Sequence, residues 1–93
     1  MKGQMQLIAI FKGNVQGVFF RQHVKEYADK FNIKGYVKNL SNGTVEVVAV
    51  GDRETLEKFL DDVEKKPGHG SIDNVEKKYL KTEKAFDSFD ILY

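Results

Sequence analysis

Apolar residues recur along this chain with two different periods, and the order of those periods limits the possible folds. Spacing of three to four residues indicates the buried stripe of an amphipathic helix, and strict alternation indicates a strand with one buried face. The two helical stripes consist of Phe20, Val24, Tyr27, Ala28 and Phe31, and of Leu56, Phe59, Leu60 and Val63. Strand patterns cover residues 5–13, 35–40, 44–50, 72–80 and 89–93.

The resulting order of elements is β-α-β-β-α-β with a short additional strand at the end. Ser41-Asn42-Gly43 joins the two middle strands, and Asn-Gly favours a tight hairpin whose two central residues need positive φ. Asp52 is placed to cap the second helix, and Pro67-Gly68 is placed to end it. Two split β-α-β units joined by a hairpin predict an α+β, ferredoxin-like sandwich. Both helices then cover one face of a mainly antiparallel sheet.

Length and composition narrow the possible functions. The 93 residues are predicted to form one domain, residues 1–93, with no room for a second core. Cysteine is absent, which excludes disulfides and thiolate catalysis. A formal net charge of +1 gives no general attraction to nucleic acid or anionic lipid, so a bound anion must be held by local groups. The apolar run at residues 7–11 is too short for a signal peptide or a membrane span, and we expect a cytoplasmic monomer.

A segment bracketed by glycines, Gly13-Asn14-Val15-Gln16-Gly17, joins the first strand to the first helix. Its backbone N–H groups and the helix N-terminus are suited to surround an anion. Arg21 in the first helical turn adds a fork of donors that fits two phosphate oxygens. The same residue types also occur in ordinary strand-to-helix turns, where a first-turn arginine is solvated. From the residue types alone, a phosphate-sized anion site and a plain turn both remain possible.

The order of residues in this segment is more specific than their types. Gly13-x-Val15-Gln16-Gly17-Val18-x-Phe20-Arg21 resembles the first signature of acylphosphatases, and Gly35-Tyr36-Val37-Lys38-Asn39-x-x-x-Gly43-x-Val45-Glu46 resembles their second. The ending Phe89-x-Ile91-x-Tyr93 is similar to the usual close of small stand-alone acylphosphatases. The resemblance spans essentially the whole chain. The segment Lys66-Pro67-Gly68-His69-Gly70-Ser71 departs from the family pattern, which puts the shape of that loop in doubt.

The resemblance implies hydrolysis of the carboxyl–phosphate bond of small acyl phosphates, giving a carboxylate and inorganic phosphate without metal or cofactor. Asn39 would position the attacking water through its side-chain amide. The phosphoryl group would be held by Arg21 and by the backbone amides of Val15, Gln16, Gly17, Val18, Phe19 and Phe20. The chemistry of these residues agrees with the two roles. A carboxylate leaving group is a weak base, and phosphoryl transfer requires mainly that the reactants are placed correctly and that the charge of the phosphoryl oxygens is matched.

Several residues admit other interpretations. Asn39 stands near Asn42-Gly43, so its residue type alone favours a structural role in the hairpin. Gly35 is predicted to be a strand position where another backbone or a ligand comes close. His23 and His69 lack ligand-like spacing with carboxylates, and we expect no metal site.

Two other functions remain as alternatives. One is an acylphosphatase-like domain that acts on carbamoyl phosphate. The other is a ferredoxin-like RNA-binding module, since Lys34-Gly35-Tyr36 resembles the start of an aromatic RNA-binding signature. The further aromatic residues of that signature and a basic surface are missing from this sequence.

Overall fold

The computed structural model describes residues 4–17, 19–68, 70–83 and 85–93, so Val18 and His69 lie outside the described residues. The predicted order of elements is confirmed, and the strand boundaries lie within one residue of their predicted positions. The elements are β1 (Met5–Asn14), α1 (Phe20–Lys30), β2 (Lys34–Asn39), β3 (Val45–Gly51), α2 (Arg53–Lys65), β4 (Ser71–Lys81) and β5 (Phe89–Leu92). Within the described ranges, neither helix is long and apolar enough to cross a membrane.

The five strands form one mixed sheet in the order β4-β1-β3-β2-β5. The first strand, β1, pairs antiparallel with both β3 and β4, and β2 pairs antiparallel with β3. The last strand, β5, runs parallel to its neighbour β2. This arrangement confirms the predicted ferredoxin-like sandwich with a mainly antiparallel sheet and a short fifth strand.

One face of the sheet and both helices share the hydrophobic core. Alternate residues of β1 and β3 are fully buried on this face: Leu7, Ala9, Phe11, Val45, Val47 and Ala49. The helices bury the predicted stripes against them, with Phe20, Val24 and Ala28 from α1 and Leu56, Phe59, Leu60 and Val63 from α2. Tyr27 and Phe31 pack half-buried against the same cluster. The core therefore fixes α1 on the sheet, and with it the loop that precedes the helix.

The β2–β3 hairpin is present, but the predicted turn type is wrong. Positive φ was expected at both Asn42 and Gly43, and of these two Gly43 alone has it, at 89°. The turn is closed by the N–H of Gly43 donating to the Leu40 carbonyl at 3.2 Å, and by the N–H of Leu40 donating to the Thr44 carbonyl at 2.8 Å. Asn42 Oδ1 accepts from the Thr44 N–H at 3.2 Å and from the Thr44 hydroxyl at 2.6 Å. Asn42 therefore stabilises the turn through its side chain and stays outside the left-handed region.

Gly35 in β2 lies where a neighbouring strand comes very close. Its φ is 146°, and a Cβ built on it would lie 1.9 Å from the carbonyl oxygen of Val48. Residue types other than glycine rarely adopt this conformation, and the nearby atom belongs to backbone that cannot rotate away. The close approach predicted at Gly35 is confirmed, and of the two predicted neighbours it is the backbone of β3 that lies there.

Replacing Gly35 by alanine is expected to lower the free energy of unfolding by about 3 kcal/mol, because the clash with Val48 adds to the backbone strain. Gly43→Ala is the matched control, since Gly43 also has positive φ but a Cβ there meets nothing within 4 Å. We expect a loss of about 1 kcal/mol for the control. Urea unfolding of both variants measures the difference, and equal losses would show that the close approach does not matter.

Candidate active site

The loop between β1 and α1 is turned by residues in the left-handed conformation. Gly17 has a φ of 74°, and Phe19 has φ 61° and ψ 22°. Glycine adopts this conformation readily, whereas a phenylalanine there costs about 1–2 kcal/mol. The start of the loop is anchored by Val15, whose side chain is 1% exposed. The loop therefore has a defined and locally strained shape between a buried valine and the helix.

The first helix, α1, begins without a capping side chain. Phe19 occupies the N-cap position, where serine, threonine, aspartate or asparagine is preferred, and it makes no side-chain bond to the helix. The first turn contains no acidic residue. The leading N–H groups of a helix lack intrahelical acceptors, and the macrodipole makes this end positive. The start of α1 therefore offers donors and positive charge that no side chain of the first turn neutralises, which suits an anion.

Arg21 lies in this first turn and reaches across to β5. Its Nη1 donates to the carbonyl of Leu92 at 2.8 Å, and its guanidinium carbon lies 4.6 Å from the centroid of the Tyr93 ring. The carbonyl bond uses one of several N–H donors of the guanidinium, and the others make no hydrogen bond within the described part of the chain. The guanidinium is thus held in place while most of its donors stay free for a ligand.

Asn39 ends β2 on the sheet face that carries the helices, where it stands opposite Val45 of β3. Its Oδ1 is buried and has no hydrogen-bond partner among the residues that the structure describes. An unsatisfied buried acceptor costs about 1–3 kcal/mol, so this oxygen is expected to bind a donor such as a water. The hairpin that Asn39 was alternatively expected to support is held by Asn42 instead.

Gln16 connects the loop to the hairpin. Its Nε2 donates to the carbonyls of Leu40 and Thr44, each at 2.8 Å. Both acceptors belong to the base of the β2–β3 hairpin, and Leu40 directly follows Asn39. Sequence reasoning gave Gln16 only a backbone role and missed this link, because its partners are 24 and 28 positions away. The side chain fixes the position of the loop relative to Asn39.

Tyr36 and Lys38 of the second signature face away from this site. In the β2–β3 register Tyr36 and Lys38 alternate with Val37 and Asn39, so they lie on the opposite sheet face. The Tyr36 hydroxyl donates to Glu46 Oε1 at 3.1 Å. Burial raises the pKa of Tyr36 above its ordinary value, and the Glu46 carboxylate raises it further. Asn39 is therefore the residue of this strand end that faces the helices and the loop.

A cavity of about 310 Å³ opens beside the loop. It is lined by Val15, Gly17, Phe19, Phe20, Arg21, Gln22, Ile91 and Tyr93. The structure thus brings most described residues of the predicted phosphate loop together with Arg21 at one cavity. Gln16 and Asn39 are not part of its lining. The side chain of Gln16 joins the loop to the strand end that carries Asn39.

Comparisons with known proteins bear on the family and the fold of this chain. The profile of the acylphosphatase family matches residues 7–91. An acylphosphatase of Archaeoglobus fulgidus is 44% identical over 81 residues, which cover 87% of this chain and 90% of that protein. A crystal structure of acylphosphatase from Bacillus subtilis has a TM-score of 0.91 at 31% identity, covering 96% of this chain and 99% of that one.

A probable carbamoyltransferase HypF of Methanocaldococcus jannaschii is 43% identical over 82 residues, which are 87% of this chain but 11% of that protein. The chain thus matches a small part of that larger protein and nearly the full length of the Archaeoglobus fulgidus acylphosphatase. Because the family profile covers residues 7–91, with a relative at 44% identity over most of its length, the chain belongs to the acylphosphatase family of hydrolases.

Proposed function

We propose that the chain hydrolyses the carboxyl–phosphate bond of small acyl phosphates, and that the phosphoryl group binds in the cavity beside the β1–α1 loop. The proposal rests on one observation. The loop with its left-handed residues, the uncapped start of α1 and Arg21 meet at this cavity. The proposed donors are the guanidinium of Arg21 and the backbone amides of Val15, Gln16, Gly17, Val18, Phe19 and Phe20. Val18 enters by its place in the signature, since it lies outside the described residues.

The chemistry of phosphoryl transfer explains why such a site suffices. The reaction needs the phosphoryl oxygens to be held and their charge to be matched. Backbone amides that already point at an anion need no reorganisation during the reaction, so they stabilise the transition state efficiently. The guanidinium of Arg21 adds a fixed positive charge, and its free N–H donors form a planar fork that fits two oxygens.

In the proposed step the oxygen of a water attacks phosphorus, and the bond from phosphorus to the acyl oxygen breaks. The carboxylate leaves with the electron pair of that bond. One proton of the water passes to a phosphoryl oxygen, and the other stays on the attacking oxygen. A carboxylate is a weak base, so its departure needs little help from a general acid. The step as proposed therefore needs no metal and no cofactor, which the assays below test by including a chelator.

Asn39 is proposed to position the attacking water. Its buried Oδ1 has no partner within the described ranges and can accept a hydrogen bond from that water. The Gln16 link holds the strand end that carries Asn39 beside the phosphate loop. Placement of the water opposite the leaving oxygen supplies the orientation that an in-line displacement requires.

Substituting Arg21 by glutamine is expected to lower kcat/KM for acetyl phosphate by about 10²–10³-fold, because the charge on the phosphoryl oxygens loses its partner. Arg21→Lys is not expected to restore activity, since one ammonium cannot form the two-pronged contact. Arg53→Gln is the matched control, because Arg53 is exposed on α2 and pairs with Glu57 at 3.2 Å. The assay contains chelator throughout. Full activity of Arg21→Gln, or equal losses in Arg21→Gln and Arg53→Gln, would show that Arg21 does not have this role.

Asn39→Ala is expected to lower kcat by about 10²-fold while competitive inhibition by inorganic phosphate stays unchanged, because the water and not the phosphate loses its position. The free energy of unfolding should not fall, since the alanine removes a buried acceptor that has no partner in the described part of the chain. Asn74→Ala, on the exposed surface of β4, serves as the control. Weaker phosphate inhibition in Asn39→Ala would place Asn39 in phosphate binding instead.

Gln16→Glu is expected to lower both stability and kcat, because a carboxylate cannot donate to the two carbonyls that Gln16 Nε2 now binds. At pH 7 the free energy of unfolding should fall by about 2 kcal/mol, and kcat by about 10-fold as Asn39 shifts relative to the loop. The two carbonyls should raise the pKa of the new carboxyl above its ordinary value of about 4.3, so the folded state binds the extra proton. Stability relative to the parent should therefore recover as the pH falls through that raised pKa.

Urea unfolding near pH 7 and near pH 4 measures this recovery, and Gln4→Glu, an exposed position before β1, is the control. A loss that is the same at both pH values would contradict the hydrogen-bond explanation. Unchanged kcat in a folded Gln16→Glu protein would show that the link does not position Asn39.

A further inference from the structure

Two basic side chains of α1 donate hydrogen bonds to backbone carbonyls of β5. Arg21 Nη1 bonds the carbonyl of Leu92 at 2.8 Å, and Lys25 Nζ bonds the carbonyl of Phe89 at 2.9 Å. Arg21 and Lys25 are four positions apart, so they lie on the same side of the helix. Both ends of β5 are therefore attached to one side of α1.

The strand β5 is short and lies at the edge of the sheet. It has four residues, and its neighbour in the sheet is β2. The two strands run parallel, and parallel pairing is slightly weaker per residue than antiparallel pairing. Phe89 at the start of β5 is 1% exposed and packs against the ring of Phe59, whereas Leu92 at its end is 39% exposed. The carbonyl that holds Arg21 thus lies at the less protected end of a short strand.

The ammonium of Lys25 holds the start of β5 by its backbone. Burial fixes the ring of Phe89, but a ring in the core can keep its place while the peptide group beside it tilts. A bond from a charged donor to the Phe89 carbonyl restricts that tilt, and such bonds are stronger than those between neutral groups. The Lys25 ammonium also pairs with Asp29 at 3.1 Å, but an exposed ion pair contributes little to stability. The Phe89 carbonyl is therefore the main partner through which Lys25 affects the fold.

We infer that Lys25 is a positioning residue for Arg21, because it fixes the direction of β5 and hence the place of the Leu92 carbonyl. This inference rests on the proposed function. Lys25 is not part of the cavity lining, so it acts on a bound phosphoryl group through β5 and the Arg21 guanidinium. Without its ammonium, the exposed end of β5 moves over a wider range, and the guanidinium follows the carbonyl that it bonds. Such a guanidinium must be ordered when the phosphoryl group binds, which weakens binding.

A first test follows the Arg21 guanidinium directly and needs no substrate. The sequence contains two arginines, Arg21 and Arg53, so a protein labelled with ¹⁵N-arginine gives two sets of guanidinium NMR signals. The bond from Nη1 to the Leu92 carbonyl should slow rotation about the Nε–Cζ bond of Arg21. In Lys25→Met we expect this rotation to be about 3-fold faster or more, while unchanged Arg53 signals show that the variant is folded. Lys25→Arg keeps a charged donor and should keep the slow rotation.

A second test measures the effect on the proposed reaction. Lys25→Met should lower kcat/KM for acetyl phosphate by about 3- to 10-fold and weaken inhibition by inorganic phosphate by a similar factor, which matches the usual cost of ordering one long side chain. In the Arg21→Gln background the same substitution should change neither value by more than about 1.5-fold, because the group that Lys25 positions is gone. Lys25→Arg should retain most of the activity of the parent.

Two control variants separate this role from the loss of a surface charge. Asp29→Asn removes the ion pair of Lys25 and leaves its bond to the Phe89 carbonyl in place. Lys58→Met removes an exposed lysine that pairs with Glu54 at 3.4 Å on α2. Both variants should keep kcat/KM and phosphate inhibition within about 2-fold of the parent when assayed in about 0.15 M salt, which screens distant charges.

The outcomes distinguish the two proposals. A parent that does not hydrolyse acetyl phosphate overturns the proposed function and any part of Lys25 in the reaction. In an active parent, unchanged rotation of the Arg21 guanidinium in Lys25→Met overturns the positioning role alone. A loss of activity that is equally large in the Arg21→Gln background, or in Asp29→Asn, overturns it as well.

Discussion

The side-chain amide of Gln16 joins the parts of the chain on which the proposed site depends. Its Nε2 bonds the carbonyls of Leu40 and Thr44, and these residues also bond each other at the base of the β2–β3 hairpin. The acceptors are therefore rigid, and the loop that carries Gln16 takes its position from them. Burial of Val15 before it and of Phe20 after it fixes the loop on the core as well. Three neighbouring attachments, two by burial and one by hydrogen bonds, thus replace the secondary structure that this loop lacks.

Departures from ordinary local preferences gather at the same place. Phe19 has a left-handed backbone, α1 starts without a capping side chain, and Asn39 Oδ1 is buried with no partner among the described residues. Each of these features lowers stability. A folded chain maintains them only where packing on all sides enforces them, and this is how a site becomes preorganised for a ligand. The stability of the helices and sheet around the loop is what makes these departures possible.

The sequence was most informative where structure depends on local chemistry. The two periods of apolar residues predicted the order of elements, and Asp52 caps α2 as expected, with Oδ1 accepting from the Thr55 N–H at 2.9 Å. The close approach at Gly35 was predicted as well. The turn type at Asn42-Gly43 was not, and in the structure the Asn42 side chain accepts from both the N–H and the hydroxyl of Thr44. The signatures identified Arg21 and Asn39 as candidates, but their surroundings depend on contacts too distant in sequence to be inferred from spacing.

The bond between Arg21 and the carbonyl of Leu92 also bears on when the site forms during folding. The two residues are 71 positions apart, and Leu92 is held by the parallel pairing of β5 with β2. Joining distant segments costs more chain entropy than closing a short turn, so we expect local structure such as α1 to form first. The guanidinium then acquires its anchor only when β5 docks at the sheet edge. A chain in which β5 has not yet docked can already contain the loop and the helix start, while its arginine remains free to move.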